Sequence, residues 1–262
     1  MDEISLDPTS AEFAARRAEA RKALDALDPA KNLEMRGGAP DDPLRREWFE
    51  TVYARAQNDP ARVPWANLAP HPLTKAWVGA QAKGIAGLRV LDVGCGLGDN
   101  AECLAEAGAE VTAFDLVETA VEWAKRRFPR TSVDYRAGDL FAPPAADWLG
   151  KFDLVHECYT LQALSAPLLP KALGALSSFL APGGKLLIIA RARDEDAEAE
   201  GPPWPLAPSI FTEARRQGLK PLSIEDIEAA PDVGRRHWRA LLGRADEHEA
   251  GVAHAIWRRA GQ

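Results

Sequence analysis

Cysteine is scarce in this chain. Three occur in 262 residues (Cys95, Cys103 and Cys158), an odd number at spacings that match no metal site. Neither a disulfide framework nor a bound metal is therefore expected, and the cytoplasm, a reducing compartment, is the expected location. No apolar run approaches the ~18–20 residues that span a bilayer. Met1-Asp2-Glu3-Ile4-Ser5 lacks the pattern of a secretory leader, so no membrane partner is expected. Positive charge is also short: the formal net charge is −7, and basic pairs such as Arg16-Arg17 and Arg126-Arg127 are scattered. Such a surface is a poor match for a nucleic-acid backbone. Internal repeats and low-complexity tracts are absent. Hydrophobic residues make up 46%, enough for the core of one large α/β domain, or of a domain with an added helical cap.

Two phosphate-binding motifs are missing as well. No glycine is followed by the Lys-Ser/Thr of a nucleotide-triphosphate loop, and the dinucleotide fingerprint G-x-G-x-x-G is incomplete. What stands instead is Val90-Leu91-Asp92-Val93-Gly94-Cys95-Gly96-Leu97-Gly98, an apolar run that breaks into glycines at alternate positions. Helix-forming residues follow from Asn100 to Ala107. A strand turning through glycines into a helix gathers backbone N–H groups and the positive helix end around one small space, suited to an anionic group. Glycine meets both needs there, unusual backbone angles and close approach of a ligand. The next strand, Glu110 to Asp115, ends in an acid 21 residues after Gly94. An acid in that place can accept hydrogen bonds from both ribose hydroxyls of a nucleoside. The two features together describe a site for a nucleoside and an anion, without a grip on pyrophosphate.

Strand and helix patterns alternate regularly from Leu88, as a doubly wound sheet requires. Expected strands are 88–93, 110–115, 132–136, 152–157 and 185–191, with weaker ones near 222–229 and 237–242. Expected helices run to Ala107, over 118–128, from about 166 to 180 and over about 208–217, with Pro182-Gly183-Gly184 as the turn before the fifth strand. Ahead of this core, residues 1–85 read as an N-terminal helical extension, with helices over 10–27, near 47–54 and over 73–82 and a loop over 37–43. Residues 86–262 form the expected core.

On these residues the chain resembles the class I S-adenosylmethionine (SAM)-dependent methyltransferases. The resemblance covers roughly 88–242 and implies a Rossmann-like α/β fold: a seven-stranded, mostly parallel sheet whose last strand is antiparallel. It implies SAM as cofactor and S-adenosylhomocysteine as product. By the same resemblance Gly94, Cys95, Gly96 and Gly98 hold the methionine end, with Asp92 ordering the loop. Asp115 takes the ribose, Leu116 lies on the adenine, and Asp139 and Leu140 meet the adenine edge. Glu157, closing the fourth strand, falls with Cys158, Tyr159 and Thr160 in the stretch that usually faces the sulfonium, so Glu157 and Tyr159 are candidate catalytic groups.

His156 is a candidate general base near neutral pH, unless strand alternation sends it to the face opposite Glu157. The Asn/Asp-Pro-Pro-aromatic signature of N-methylation is absent; His156-Glu157-Cys158-Tyr159 stands in its place. Trp65, in a proline-bounded loop, and Trp204, in Pro202-Pro203-Trp204-Pro205-Leu206, are candidate walls of an acceptor site or exposed core. Arg191 either holds an acidic acceptor or pairs with the acids at 194–196. The outer segments are similar to the thiopurine and thiol methyltransferases. A thiol with pKa near ~8.5 is already partly ionised at neutral pH and needs no strong base, so S-methylation of a small molecule is the expected activity. O-methylation and a non-catalytic SAM-binding module are the alternatives. A nicotinamide oxidoreductase lacks its third fingerprint glycine. The oligomeric state is not legible.

Overall fold

The computed structural model describes residues 7–27, 43–81, 84–143, 145–198, 203–228 and 235–244. Seven strands, β1 (Arg89–Val93), β2 (Glu110–Asp115), β3 (Asp134–Ala137), β4 (Phe152–Cys158), β5 (Leu180–Arg191), β6 (Leu219–Ile227) and β7 (His237–Arg244), form one sheet in the order β3-β2-β1-β4-β5-β7-β6. β2 pairs with β3, and β4 with β5, in parallel. β7 runs antiparallel to both β5 and β6. The Rossmann-like sheet with a final antiparallel strand is therefore as expected. Packing divides the chain into two compact units, 1–86 with 92–144, and 87–91 with 145–262.

In the first unit, helices α1 (Ala11–Leu27), α2 (Pro43–Ala56) and α3 (Pro72–Ala80) precede β1, and α4 (Asp99–Glu106) and α5 (Glu118–Arg127) flank β2. The amphipathic α5 buries Ala120, Val121, Trp123 and Ala124 and sets Lys125, Arg126 and Arg127 in its last turn, where they complement the helix dipole. Tyr53 and Ala56 of α2 join Val63, Ala66, Leu97, Val117, Ala120 and Trp123 in one buried cluster. The N-terminal segment thus packs against the residues that follow the glycine loop. Asp59 fixes the turn after α2: it caps Ala61 N–H at 3.0 Å and pairs with Arg16 at 2.9 Å.

In the second unit, α6 (Leu169–Phe179) and α7 (Ser209–Arg216) belong with β4 to β7. β4, an inner strand of the sheet, is buried along most of its length. One expectation needs correcting here. Helix α6 stops at Phe179, and Pro182-Gly183-Gly184 lies inside the extended span of β5. The pairing register shifts between Phe152 and Leu154, and a Cβ at Gly184 would stand 2.8 Å from the Phe152 carbonyl oxygen and 2.9 Å from that of Ala181. The glycines therefore absorb a bulge rather than end a helix. Residues 37–42 of the expected loop over 37–43, and Pro202, lie outside the described residues.

Two glycine substitutions are expected to act in opposite directions. Gly184→Ala, which drives a methyl group into two carbonyl oxygens, should destabilise the fold by about 1–3 kcal/mol. Gly79→Ala places its methyl on an exposed turn of α3 with nothing within 4 Å and should stabilise by about 0.4–1 kcal/mol. Denaturant unfolding of both variants checks this; the same sign for the two would contradict the packing described at Gly184.

Candidate functional site

The first unit carries the glycine loop. β1 delivers Asp92, buried at 2% exposure, to the edge of the turn. Gly94, Gly96 and Gly98 have φ of 68°, 54° and 92°, all in the left-handed region that other residues avoid. The N–H groups of Gly94 and Cys95 donate to the Phe114 carbonyl at 2.8 and 3.0 Å. The N–H of Gly96 donates to Asp115 Oδ2 at 2.9 Å, and Val117 N–H donates to Asp115 Oδ1 at 3.0 Å. The acid expected from its spacing is thus bonded directly to the loop. Burial pushes the Asp115 carboxyl upward; the N–H groups of Val117 and Gly96 oppose that, while Asp92 adds to it. Burial, with Asp115 and Asp92 nearby, raises the Cys95 thiol well above its ordinary range, so it is an inert lining group.

Gly98 caps α4, and only glycine fits: a Cβ there would stand 2.3 Å from the Tyr135 hydroxyl. Asp99 at the helix start is clamped by Arg127 through two bonds of 2.7 and 2.8 Å, and the same guanidinium reaches the Leu97 carbonyl at 2.6 Å. Around Asp115 the other expected residues converge. Leu116 is half-buried, and its carbonyl accepts from Arg46 of α2 at 2.9 Å. Gly138 N–H donates to the Asp115 carbonyl at 2.9 Å, which holds the turn after β3 beside the end of β2. In that turn Asp139 accepts from Phe141 N–H at 2.9 Å, and Leu140 is buried.

Trp65 sits half-buried among aromatics, stacked on Trp48 at 6.0 Å and edge-on to Phe49 and Tyr53 at 5.8 Å. Its Nε1–H donates to the Tyr53 hydroxyl at 3.1 Å. That hydroxyl lies 3.6 Å from where a Cβ of Gly96 would be. Tyr53 and Arg46 had no signal as site residues in the sequence, because helix composition says nothing of which face meets a distant loop.

The second unit carries the edge formed by the ends of β4 and β5 and the start of β7. His156 and Glu157 are both fully buried. Glu157 Oε2 accepts from the N–H groups of Thr160 and Leu161 at 3.0 and 3.1 Å, so the carboxylate caps the turn that follows β4. Tyr159 within that turn has φ of 73°, a left-handed conformation that costs a bulky residue energy and is held by its surroundings. Its N–H donates to the Ile189 carbonyl at 3.0 Å, and its ring stacks on His237 at 5.7 Å. The two side chains meet at 2.6 Å between the hydroxyl and Nε2. His237 Nδ1 lies 2.5 Å from the Arg235 carbonyl. A carbonyl only accepts, so Nδ1 carries the proton, and in the neutral ring Nε2 accepts from the tyrosine hydroxyl.

Burial lowers the His237 pKa, the Arg191 and Arg235 charges add to that, and the bond to the Arg235 carbonyl opposes it. Burial, with Cys158 beside it, holds the Tyr159 hydroxyl up at about 12 against the pull of Arg191 and Arg235. Gln162 laces the edge together: its side-chain oxygen accepts from Arg191 N–H at 2.7 Å and its carbonyl from Trp204 N–H at 2.8 Å. Tyr159, Arg191, Trp204 and His237 are brought to one edge, while His156 and Glu157 are buried in the strand behind it.

The first unit offers a carboxylate suited to vicinal hydroxyls and a glycine turn into a helix, with the Tyr53 hydroxyl in ordinary contact distance of where a Cβ of Gly96 would stand. Comparison with known proteins agrees. A methyltransferase-domain family model matches residues 90–184. Demethylmenaquinone methyltransferase of Renibacterium salmoninarum is 32% identical over 176 residues, 62% of this chain and 68% of that protein. The ubiquinone biosynthesis O-methyltransferase of Xanthomonas oryzae is 38% identical over 122 residues, so the match spans 46% of this chain and about half, 49%, of that relative. Among solved structures, the 1,6-didemethyltoxoflavin-N1-methyltransferase of Burkholderia thailandensis, with S-adenosylhomocysteine bound, has a TM-score of 0.63 at 21% identity over 79% of this chain and 91% of its own. The N-methyltransferase NodS of Bradyrhizobium japonicum, also with S-adenosylhomocysteine, has a TM-score of 0.59 at 21% identity over 75% and 98%. At these identities the structures show the fold.

His237 also marks stability. Because its folded pKa is depressed below the ordinary 6.5, the unfolded chain takes up a proton that the folded chain refuses. The stability tied to its neutral form is complete above about pH 6.5 and is lost as pH falls through the lower folded value. Unfolding free energies measured from neutral to mildly acidic pH should therefore fall more steeply in the natural chain than in His237→Gln. Equal slopes would contradict a buried neutral His237.

Proposed function

We propose that this chain, which belongs to the class I SAM-dependent methyltransferases, methylates a small-molecule acceptor at a hydroxyl oxygen. SAM, its cofactor, supplies an electrophilic methyl group on a positively charged sulfur. The observation that carries the reading is the bond from Gly96 N–H to the Asp115 carboxylate, which builds acid and glycine loop into one cradle. In this reading Asp115 accepts from the ribose hydroxyls, Leu116 covers the adenine, and Asp139 and the Leu140 backbone meet the adenine edge. Gly94, Cys95, Gly96 and Gly98 surround the methionine end. The rest of the work is positioning and exclusion of water, which suffices for an in-line displacement.

The oxygen acceptor is supported by the relatives named O-methyltransferases and by the edge of the second unit, where the Tyr159 hydroxyl and the Arg191 guanidinium are polar groups suited to an oxygen. A thiol is favoured by the similarity of the outer segments to the thiopurine and thiol methyltransferases and by its needing no strong base; the hydrogen bond between Tyr159 and His237 supports the oxygen acceptor instead. Trp204, tied by its backbone to Gln162, is assigned to the acceptor wall, and Trp65 to the aromatic packing behind Tyr53.

Asp115→Ala should weaken SAM binding at least about tenfold, since hydrogen bonds to a charged acceptor are worth about 1.5–3 kcal/mol each. Calorimetry on the folded variant checks this, and unchanged affinity would remove the ribose assignment. Turnover of methyl-labelled SAM against phenols, catechols, thiols, carboxylic acids and amines tests the rest. Label is expected in the hydroxyl compounds. Label confined to thiols would overturn the oxygen acceptor, and binding without transfer to any class would leave a SAM-binding module.

A further inference from the structure

We infer that Tyr53, on the N-terminal helix α2, is a cofactor-binding residue whose hydroxyl donates to the carboxylate at the methionine end of SAM. This rests on the SAM reading above, and it brings into that site a residue from outside the span that the family model matches.

Tyr53 is buried, with 3% of its surface exposed, yet its hydroxyl is only half satisfied. Trp65 Nε1 stands 3.1 Å away, and an indole nitrogen can only donate, so the tyrosine oxygen accepts there. The hydroxyl proton is therefore turned away from Trp65. Among the described residues no acceptor takes it. A buried O–H in that state costs free energy until a ligand supplies the acceptor. The same oxygen lies 3.6 Å from where a Cβ of Gly96 would stand, so it faces the middle of the glycine loop. Burial, and then the Asp115 charge, raise the phenol well above its usual range against the pull of the Trp65 N–H. The proton is thus present to be donated at any ordinary pH.

A ligand group that meets this hydroxyl must accept. At the methionine end of SAM the ammonium only donates and the sulfur is positively charged, which leaves the carboxylate. Asp115 already places negative charge near the hydroxyl, so a second carboxylate needs donors aimed at it. The Tyr53 hydroxyl is one, and the positive start of α4 lies at the end of the same loop.

Helix α2 makes a second contact that fits. Arg46, two turns before Tyr53 on the same face, donates to the Leu116 carbonyl at 2.9 Å. About 10 Å of helix separates positions 46 and 53. The helix therefore runs from the strand end assigned to the adenine to the loop assigned to the methionine. Phe49, between the two, packs with Trp65 against the cluster that contains Leu97 and Val117.

Calorimetry with SAM and with decarboxylated SAM isolates the contact. The second ligand keeps the adenosine, the sulfonium and the amine and lacks only the carboxylate. The natural chain should bind SAM at least about tenfold more tightly than the decarboxylated ligand. Tyr53→Phe keeps the ring in its cluster; it should lose about tenfold in SAM affinity and less than about twofold for the decarboxylated ligand. A second readout needs no variant. With carbon-13 at Cζ of the three tyrosines, the Tyr53 resonance should move on adding SAM and stay in place with the decarboxylated ligand. Equal affinity of the natural chain for both ligands, unchanged SAM affinity in Tyr53→Phe, equal losses for both ligands, or a Cζ shift alike with both would overturn the Tyr53 contact. Each of these outcomes leaves the cofactor reading in place. A natural chain that binds neither ligand would overturn the cofactor reading, and the contact with it.

Discussion

A single carboxylate organises the first unit. Asp115 at the end of β2 spends one oxygen on the Gly96 N–H and the other on Val117 N–H. The first bond holds a loop in which three glycines sit at positive φ, a conformation with no support from regular structure. The second sets the chain turning into α5. Because the same residue's carbonyl accepts from Gly138, the turns after β1, β2 and β3 all meet on it. A carboxylate has about four acceptor positions, so beyond these backbone bonds the group retains the capacity that the proposed ribose contact requires. Arg127, gripping both Asp99 and the Leu97 carbonyl, secures the far end of the loop, and the cluster around Tyr53 and Trp123 backs it with apolar packing.

The second unit relies on a different device. A buried glutamate caps a tight turn, and the turn forces a tyrosine into the left-handed region. The strain is held by backbone bonds to β5 and by stacking on a histidine of β7. What results is a phenol and an imidazole in fixed contact, flanked by two arginines, with Gln162 tying β5 to the loop that carries Trp204. Apolar strands bring these groups together; none of the chemistry requires a group with an extreme acidity.

How much of this the sequence displayed depends on how far apart the partners lie along the chain. The glycine spacing and the acid ending the next strand are local patterns with one physical purpose, and the cradle is legible from them. Strand and helix alternation displayed the doubly wound sheet, and its antiparallel end was implied by the resemblance to the methyltransferases. The limit of α6 was misjudged because Pro182-Gly183-Gly184 has the composition of a turn, and a bulge opposite Phe152 leaves no mark in its own segment. Glu157 read as a group for the sulfonium, yet its spacing to Thr160 and Leu161 is also that of a capping carboxylate. His237 was invisible as a partner of Tyr159: the two are 78 residues apart, and only the antiparallel placing of β7 joins them. Tyr53 and Arg46 were hidden for the same reason, lying on a helix whose contacts are set by tertiary packing.

The proposed cofactor site is the cradle formed by the glycine loop and Asp115. Amide hydrogen exchange with and without S-adenosylhomocysteine tests it most directly, because it reads out backbone protection residue by residue. Binding should slow exchange at residues 94–98 and 115–117 and in the turn at 138–140, while the amides of β6 exchange as before. Binding that leaves residues 94–98 and 115–117 unchanged would place the cofactor elsewhere and contradict the assignment of the site.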